Sequence, residues 1–138
     1  AASVPGVELR PWAGDPMPSF EEARAVVTAS TAEGLSNVLL EAMACGRPVI
    51  ATDVSGARDA LGVSGGDLST ARGGFVVPAT DPRALAQAMR RVFDEPETAE
   101  RLAREARDRA RAFASEDVCV EAFLDSVERI RAARGTER

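Results

Sequence analysis

Three short, uninterrupted apolar runs rich in β-branched residues recur along the chain, and a helix-like stretch follows each of them. They cover residues 25–29 (AVVTA), 49–52 and 75–77. A strand that is apolar at every position has both faces covered. In short segments this is the mark of a parallel sheet with helices packed on each side. The alternation of strands and helices points the same way for the whole molecule. The expected class is therefore α/β, with a short parallel sheet flanked by helices and further helices towards the C-terminus. Ligands of such sheets sit beyond the carboxyl ends of the strands. The loops after Ala29, Thr52 and Val77 are the ones to inspect.

The helical stretches have their own signals. Residues 35–45 place Val38, Leu39, Ala42 and Met43 on one face, and Gly46 stands where a helix stop belongs. Asp81 followed by Pro82 is a helix start, an acidic cap with Pro at the first helical position. The helix that follows carries Leu85, Ala88, Met89, Val92 and Phe93 on one side. Pro96 opens the next, with a stripe of Leu102, Ala103, Ala106, Ala110 and Phe113. Ser115, Glu116 and Asp117 cap a last helix bearing Val120, Phe123, Leu124, Val127 and Ile130. Towards the N-terminus, residues 7–10 read as a short strand between two prolines, and the Pro- and Gly-rich residues 10–19 as a loop. Residues 53–61 read as a loop and a short helix. Residues 62–74 contain five Gly and no periodicity that would define an element.

Composition removes several kinds of function. The 138 residues amount to one domain at most, and an apolar fraction of 45 % is enough to build a core. The net charge of −5 argues against a nucleic-acid or anionic-membrane surface. There is no Lys, His or Tyr, so a His base, a His metal ligand and a Tyr acid are all excluded. Cys45 and Cys119 are far apart, lie in apolar helix-like surroundings and read as reduced, buried thiols. No spacing suggests a metal site. No run is long enough to span a bilayer and no leader pattern is visible, so the default location is cytoplasmic. The Arg-rich residues 101–111 are interleaved with Glu105 and Asp108 and read as a solvated helix face. The first residue is Ala rather than Met, so the chain reads as processed or as an excerpt.

The loop after residues 25–29 is Ser30-Thr31-Ala32-Glu33-Gly34-Leu35-Ser36-Asn37, and it runs directly into a helix. A helix N-terminus offers unpaired N–H groups and a partial positive charge, and Gly34 allows close approach of a ligand. Together they form a cradle suited to a diphosphate without any Lys. An ordinary strand-to-helix turn capped by Ser or Thr accounts for the same pattern. Seven residues separate Glu33 from Glu41. Glu41 lies off the apolar face, where a carboxylate can hold vicinal ribose hydroxyls. It fits equally as a solvated helix residue, or one paired with Arg47.

The stretch from Ser30 to Asp53 resembles the signature of the family 4 (group 1) retaining glycosyltransferases of the two-domain GT-B architecture. In that family a Glu-x7-Glu motif is followed by Ala-Met-Ala-x-Gly, a basic residue and Pro-Val-Ile-Ala-Thr. The order continues with a glycine turn at Gly56, a Gly-Phe-Val-Val-Pro segment with trailing Asp81-Pro82, the helix from Leu85 to Met89, and Phe113 to Ser115. The resemblance runs from about Pro5 to Arg131. It implies that the whole chain is the C-terminal part of a partial Rossmann-like, nucleotide-sugar-binding domain, with the first strands and the N-terminal acceptor domain absent. It implies Glu33 as the catalytic residue beside the donor sugar and reacting centre, and Glu41 as the ribose ligand. Gly34, Leu35, Ser36 and Asn37 would face sugar and diphosphate with their amides, and Ser30 and Thr31 would border the pocket. The donor would be a nucleotide-diphosphate sugar, transferred with retention, and neither cofactor nor metal is expected.

The match also has gaps. The family's paired Arg and Lys that grip the diphosphate would lie before residue 1. Asp59 stands where a Glu is usual, and residues 62–74 are longer than the pattern leads one to expect. A sheet cut in mid-order has an open edge, so the chain is expected to belong to a longer polypeptide or to pair with another chain or itself. The other readings are a non-catalytic nucleotide-sugar-binding module, a truncated remnant, or a plain α/β domain. Base, sugar, acceptor and oligomeric state are not encoded in any recognisable motif.

Overall fold

The computed structural model describes residues 4–11, 14–121, 124 and 125. Three parallel strands, β1 (Val26–Thr28), β2 (Val49–Thr52) and β3 (Gly74–Val77), lie in the order β1-β2-β3. Val26 pairs with Val49, and Val49 with Gly74. The helices are α1 (Met17–Glu22), α2 (Asn37–Ala44), α3 (Ser55–Leu61), α4 (Pro82–Asp94) and α5 (Pro96–Ala114), with a 3₁₀ turn at Leu68–Thr70.

β2 shows why its sequence is apolar at every position. All four residues are buried, and successive side chains enter different cores. Val49 and Ala51 pack with Leu39, Met43, Ala57, Leu61 and Ala106. Ile50 packs on the other side with Val77, Ala88, Val92 and Leu102. Helix α5 serves both cores, Leu102 on one side and Ala106 and Ala110 on the other. β1 has one strand neighbour among the described residues, and Val27 on it is exposed.

Chain reversals place the strand ends. Gly46 (φ 68°) and Gly62 (φ 66°) close α2 and α3 in the left-handed conformation. At each, one amide bonds three residues back and the next five back: Gly46 to Met43 and Arg47 to Ala42, then Gly62 to Asp59 and Val63 to Arg58. The Asp81 carboxylate accepts from the amides of Arg83 and Ala84 and starts α4, with Pro82 at its first position.

Several expectations need correction. Residues 7–10 form no strand; they lie exposed without a ladder partner, and an extended segment is not stable as a strand alone. Helix α1 begins inside the expected loop, because Pro18 sits in its first turn, where a missing N–H costs nothing. Val38, Met89 and Phe93 are exposed rather than core; the guanidinium of Arg24 stacks over the Phe93 ring at 5.1 Å. Of the two thiols, Cys45 is half-buried but Cys119 is exposed. Residues 116–121 are helical with Ser115 at the start, its hydroxyl accepting from the Val118 amide. Val120 and Leu124 there are exposed, and Phe123, Val127 and Ile130 lie outside the described residues. Arg101 pairs with Glu105 on the largely exposed face expected for residues 101–111. Arg109 instead turns inward, donating to the carbonyls of Asp59 and Ala60 and stacking on Phe113. Burial, reinforced by Arg72, pushes its guanidinium below the ordinary value.

Candidate functional site

All three strands end on the same side, so residues 29–36, 53–54 and 78–81 form one rim. The first of these segments leads into α2. Leu39, Ala42 and Met43 anchor the helix in the core, which fixes the direction in which its N-terminus points. Ser36 is the residue before the first turn, yet its side chain makes no capping bond. Its hydroxyl is buried without a partner, on a residue only 3 % exposed. A capping Ser would have satisfied itself, so the ordinary-turn explanation does not describe this end. An unpaired buried hydroxyl costs about 1–3 kcal/mol. Glu33, half-buried in the loop, likewise has a buried Oε2 without a partner.

The backbone of the segment is unpaired too. Among the described residues, no amide from Thr31 to Leu39 donates to an acceptor within the protein. The position a Cβ would take on Gly34 opens into free space. Gly34, Leu35 and Asn37 are exposed. Open donors, a helix dipole and a buried hydroxyl thus share one helix end, three residues after Glu33.

Ser30 is half-buried and Thr31 exposed. The Ser30 carbonyl accepts from the Thr52 hydroxyl at 2.5 Å. Glu41 lies on the solvent face of α2, one turn beyond Asn37 on the same side. It opens onto a groove of ≈ 410 Å³ between α2 and α5 that Leu40, Ala44, Arg111 and Ser115 also line. That groove does not include residues 30–36. Glu41 and Arg47 form no ion pair, and the Arg47 Nε is buried without a partner. A second cavity, ≈ 460 Å³, runs from Leu35 to Asp59, Arg109 and Phe113.

Reading the sequence missed the scaffold behind the rim. Arg58 grips Asp53 through Nε (2.5 Å) and Nη2 (2.8 Å). These bonds hold the Asp53 carboxyl below the ordinary carboxylate range. Thr52 and Gly56, which touch the loop, belong to the same scaffold. The signals for them are a Thr that closes an apolar strand ahead of a loop at the ligand end of the sheet, and the glycine turn at Gly56.

Comparison with known proteins gives consistent relatives. A D-inositol 3-phosphate glycosyltransferase from Kineococcus radiotolerans is 33 % identical over 122 residues, covering 86 % of this chain and 28 % of that protein. Another from Frankia alni is 37 % identical over 112 residues, covering 80 % of this chain and 24 % of the relative. The structure of sucrose-phosphate synthase from Thermosynechococcus elongatus superposes with a TM-score of 0.68 at 30 % identity, covering 83 % of this chain and 27 % of that one. The chain thus spans about a quarter of the length of the proteins it matches. No described helix is long and apolar enough to cross a membrane. The family model for glycosyl transferases group 1 matches residues 1–95, more than half of the sequence and all of the segment from Ser30 to Asp53. The chain belongs to the group 1 glycosyl transferases.

Proposed function

We propose that this chain binds the donor, a nucleotide-diphosphate sugar, at the N-terminus of α2, and supports transfer of the sugar with retention of configuration. The observation that carries the reading is the unsatisfied helix end: a buried Ser36 hydroxyl and the amides from Thr31 to Leu39 without internal partners. Such a set of donors matches a diphosphate. As the bond from the sugar's anomeric carbon to the diphosphate oxygen breaks, charge grows on the departing group. Preorganised amides and the helix dipole stabilise that charge, so no metal ion is needed for it. The acceptor hydroxyl bonds to the anomeric carbon on the face the diphosphate leaves, and its proton passes to the departing diphosphate. This route needs no His, and the chain has none. Glu33 sits beside the reacting centre, Ser30 and Thr31 border the pocket, and Glu41 takes the ribose hydroxyls.

Calorimetry of the chain with UDP, GDP and ADP tests the binding step. One of the three is expected to bind, and Glu41→Ala to weaken it by about 1–3 kcal/mol through loss of a charged hydrogen-bond partner. Unchanged affinity in Glu41→Ala would remove the ribose placement. Absence of binding to all three would remove the donor reading.

A further inference from the structure

The loop that precedes α2 is held from behind by the next strand–helix unit, at two points. At its start the buried Thr52, last residue of β2, donates its hydroxyl to the Ser30 carbonyl. Near its end the Gly34 carbonyl lies against Gly56 in the first turn of α3. A Cβ on Gly56 would stand 1.7 Å from the Gly34 oxygen and 2.9 Å from the Leu35 Cα. Both are backbone atoms, so no flexible side chain can move aside. The φ of Gly56 is not in the left-handed region. Glycine is therefore required there for space rather than for backbone conformation.

This contact has a directional consequence. The Gly34–Leu35 peptide is trans, so its carbonyl and the Leu35 N–H point in opposite directions. Seating the carbonyl against α3 aims the Leu35 N–H away from α3, and that N–H has no acceptor in the protein. We infer that Gly56 and Thr52 are positioning residues, which set the direction of the Leu35 amide towards the donor diphosphate without touching the donor themselves. The inference rests on the donor reading above. A methyl at position 56 forces the carbonyl out, and the whole peptide must turn with it. Diphosphate recognition suffers, while ribose recognition by Glu41, a turn further along α2, does not.

The test compares the chain with its Gly56→Ala and Thr52→Val variants. Each is titrated with the nucleoside diphosphate that the parent chain binds and, by ligand-observed NMR, with the matching nucleoside. Gly56→Ala is expected to weaken the diphosphate by about tenfold or more, the size of a lost or misdirected charged hydrogen bond. Thr52→Val, which keeps the side-chain shape, is expected to weaken it by a smaller factor. Nucleoside affinity should be unchanged in both. Parent-like diphosphate affinity in Gly56→Ala overturns the inference and leaves the donor reading intact. So does an equal loss for both ligands, which marks a merely structural role. If Gly56→Ala does not fold, Thr52→Val decides by the same ratio. A parent chain that binds no nucleoside diphosphate overturns the donor reading and this inference together.

Discussion

Two helix N-termini at the same rim of the sheet are built in opposite ways. Helix α4 is closed by its own sequence: the Asp81 carboxylate accepts from the Arg83 and Ala84 amides, and Pro82 removes a third donor. Helix α2 carries a residue of equal capping ability at the same position, but the Ser36 hydroxyl is buried and bonds nothing. A helix that caps itself has no donors left for a ligand. One that leaves its donors open carries a stability cost that a bound anion offsets. The contrast sets an end closed by its own sequence against one whose donors stay open.

Substitutions can break this contrast. The largest effect is expected on chemistry. Glu33→Ala should lower turnover on the order of 100- to 1,000-fold, the loss typical of a group that stabilises the transition state. Donor affinity should move far less. Release of nucleoside diphosphate, measured in a polypeptide that joins this chain to an acceptor-binding domain, checks it. Loss of affinity equal to loss of rate would make Glu33 a binding group instead.

The two caps should respond with opposite signs. Asp81→Ala should cost about 0.5–2 kcal/mol of stability in denaturant unfolding and leave nucleotide binding alone. Ser36→Ala removes a buried hydroxyl that has no partner, so it should be neutral or slightly stabilising and yet weaken nucleotide binding. A destabilised Ser36→Ala with unchanged binding would make the two ends alike.

The smallest effect concerns the scaffold behind the rim. Arg58 holds the Asp53 carboxyl below its ordinary range, so the folded state binds this proton less readily than the unfolded chain. Its contribution is present in full above the unfolded value of about 3.9. It is lost as pH falls from there through the lower folded value. Melting curves from neutral to acid pH should therefore converge for the parent chain and Asp53→Asn as the pH drops. A constant gap would show that Asp53 contributes nothing through its charge.

What the sequence made legible follows from how local each signal is. β2, the Gly46 stop and the Asp81-Pro82 start depend on neighbours within a turn or a strand, and all three stand as read. The segment from Ser30 to Asn37 was legible as a strand-to-helix loop for the same reason. Which of its groups remain unsatisfied was not, because that depends on what the rest of the fold fails to offer them. The failures share a cause. Residues 7–10 have strand-like composition, but strand formation needs a partner that composition cannot supply. Phe93 has the right helical spacing for the core but meets Arg24 from another part of the chain. Thr52 and Gly56 act on residues about 22 positions earlier, a relation no local pattern contains.

The central claim is that the open end of α2, not the closed end of α4, receives an anion. The direct measurement is an amide NMR titration of the chain with the nucleoside diphosphate it binds. The account predicts that the amides of Gly34, Leu35, Ser36 and Asn37 shift progressively to saturation, while those of Arg83 and Ala84 stay in place. Saturable binding with residues 31–39 unmoved would contradict it.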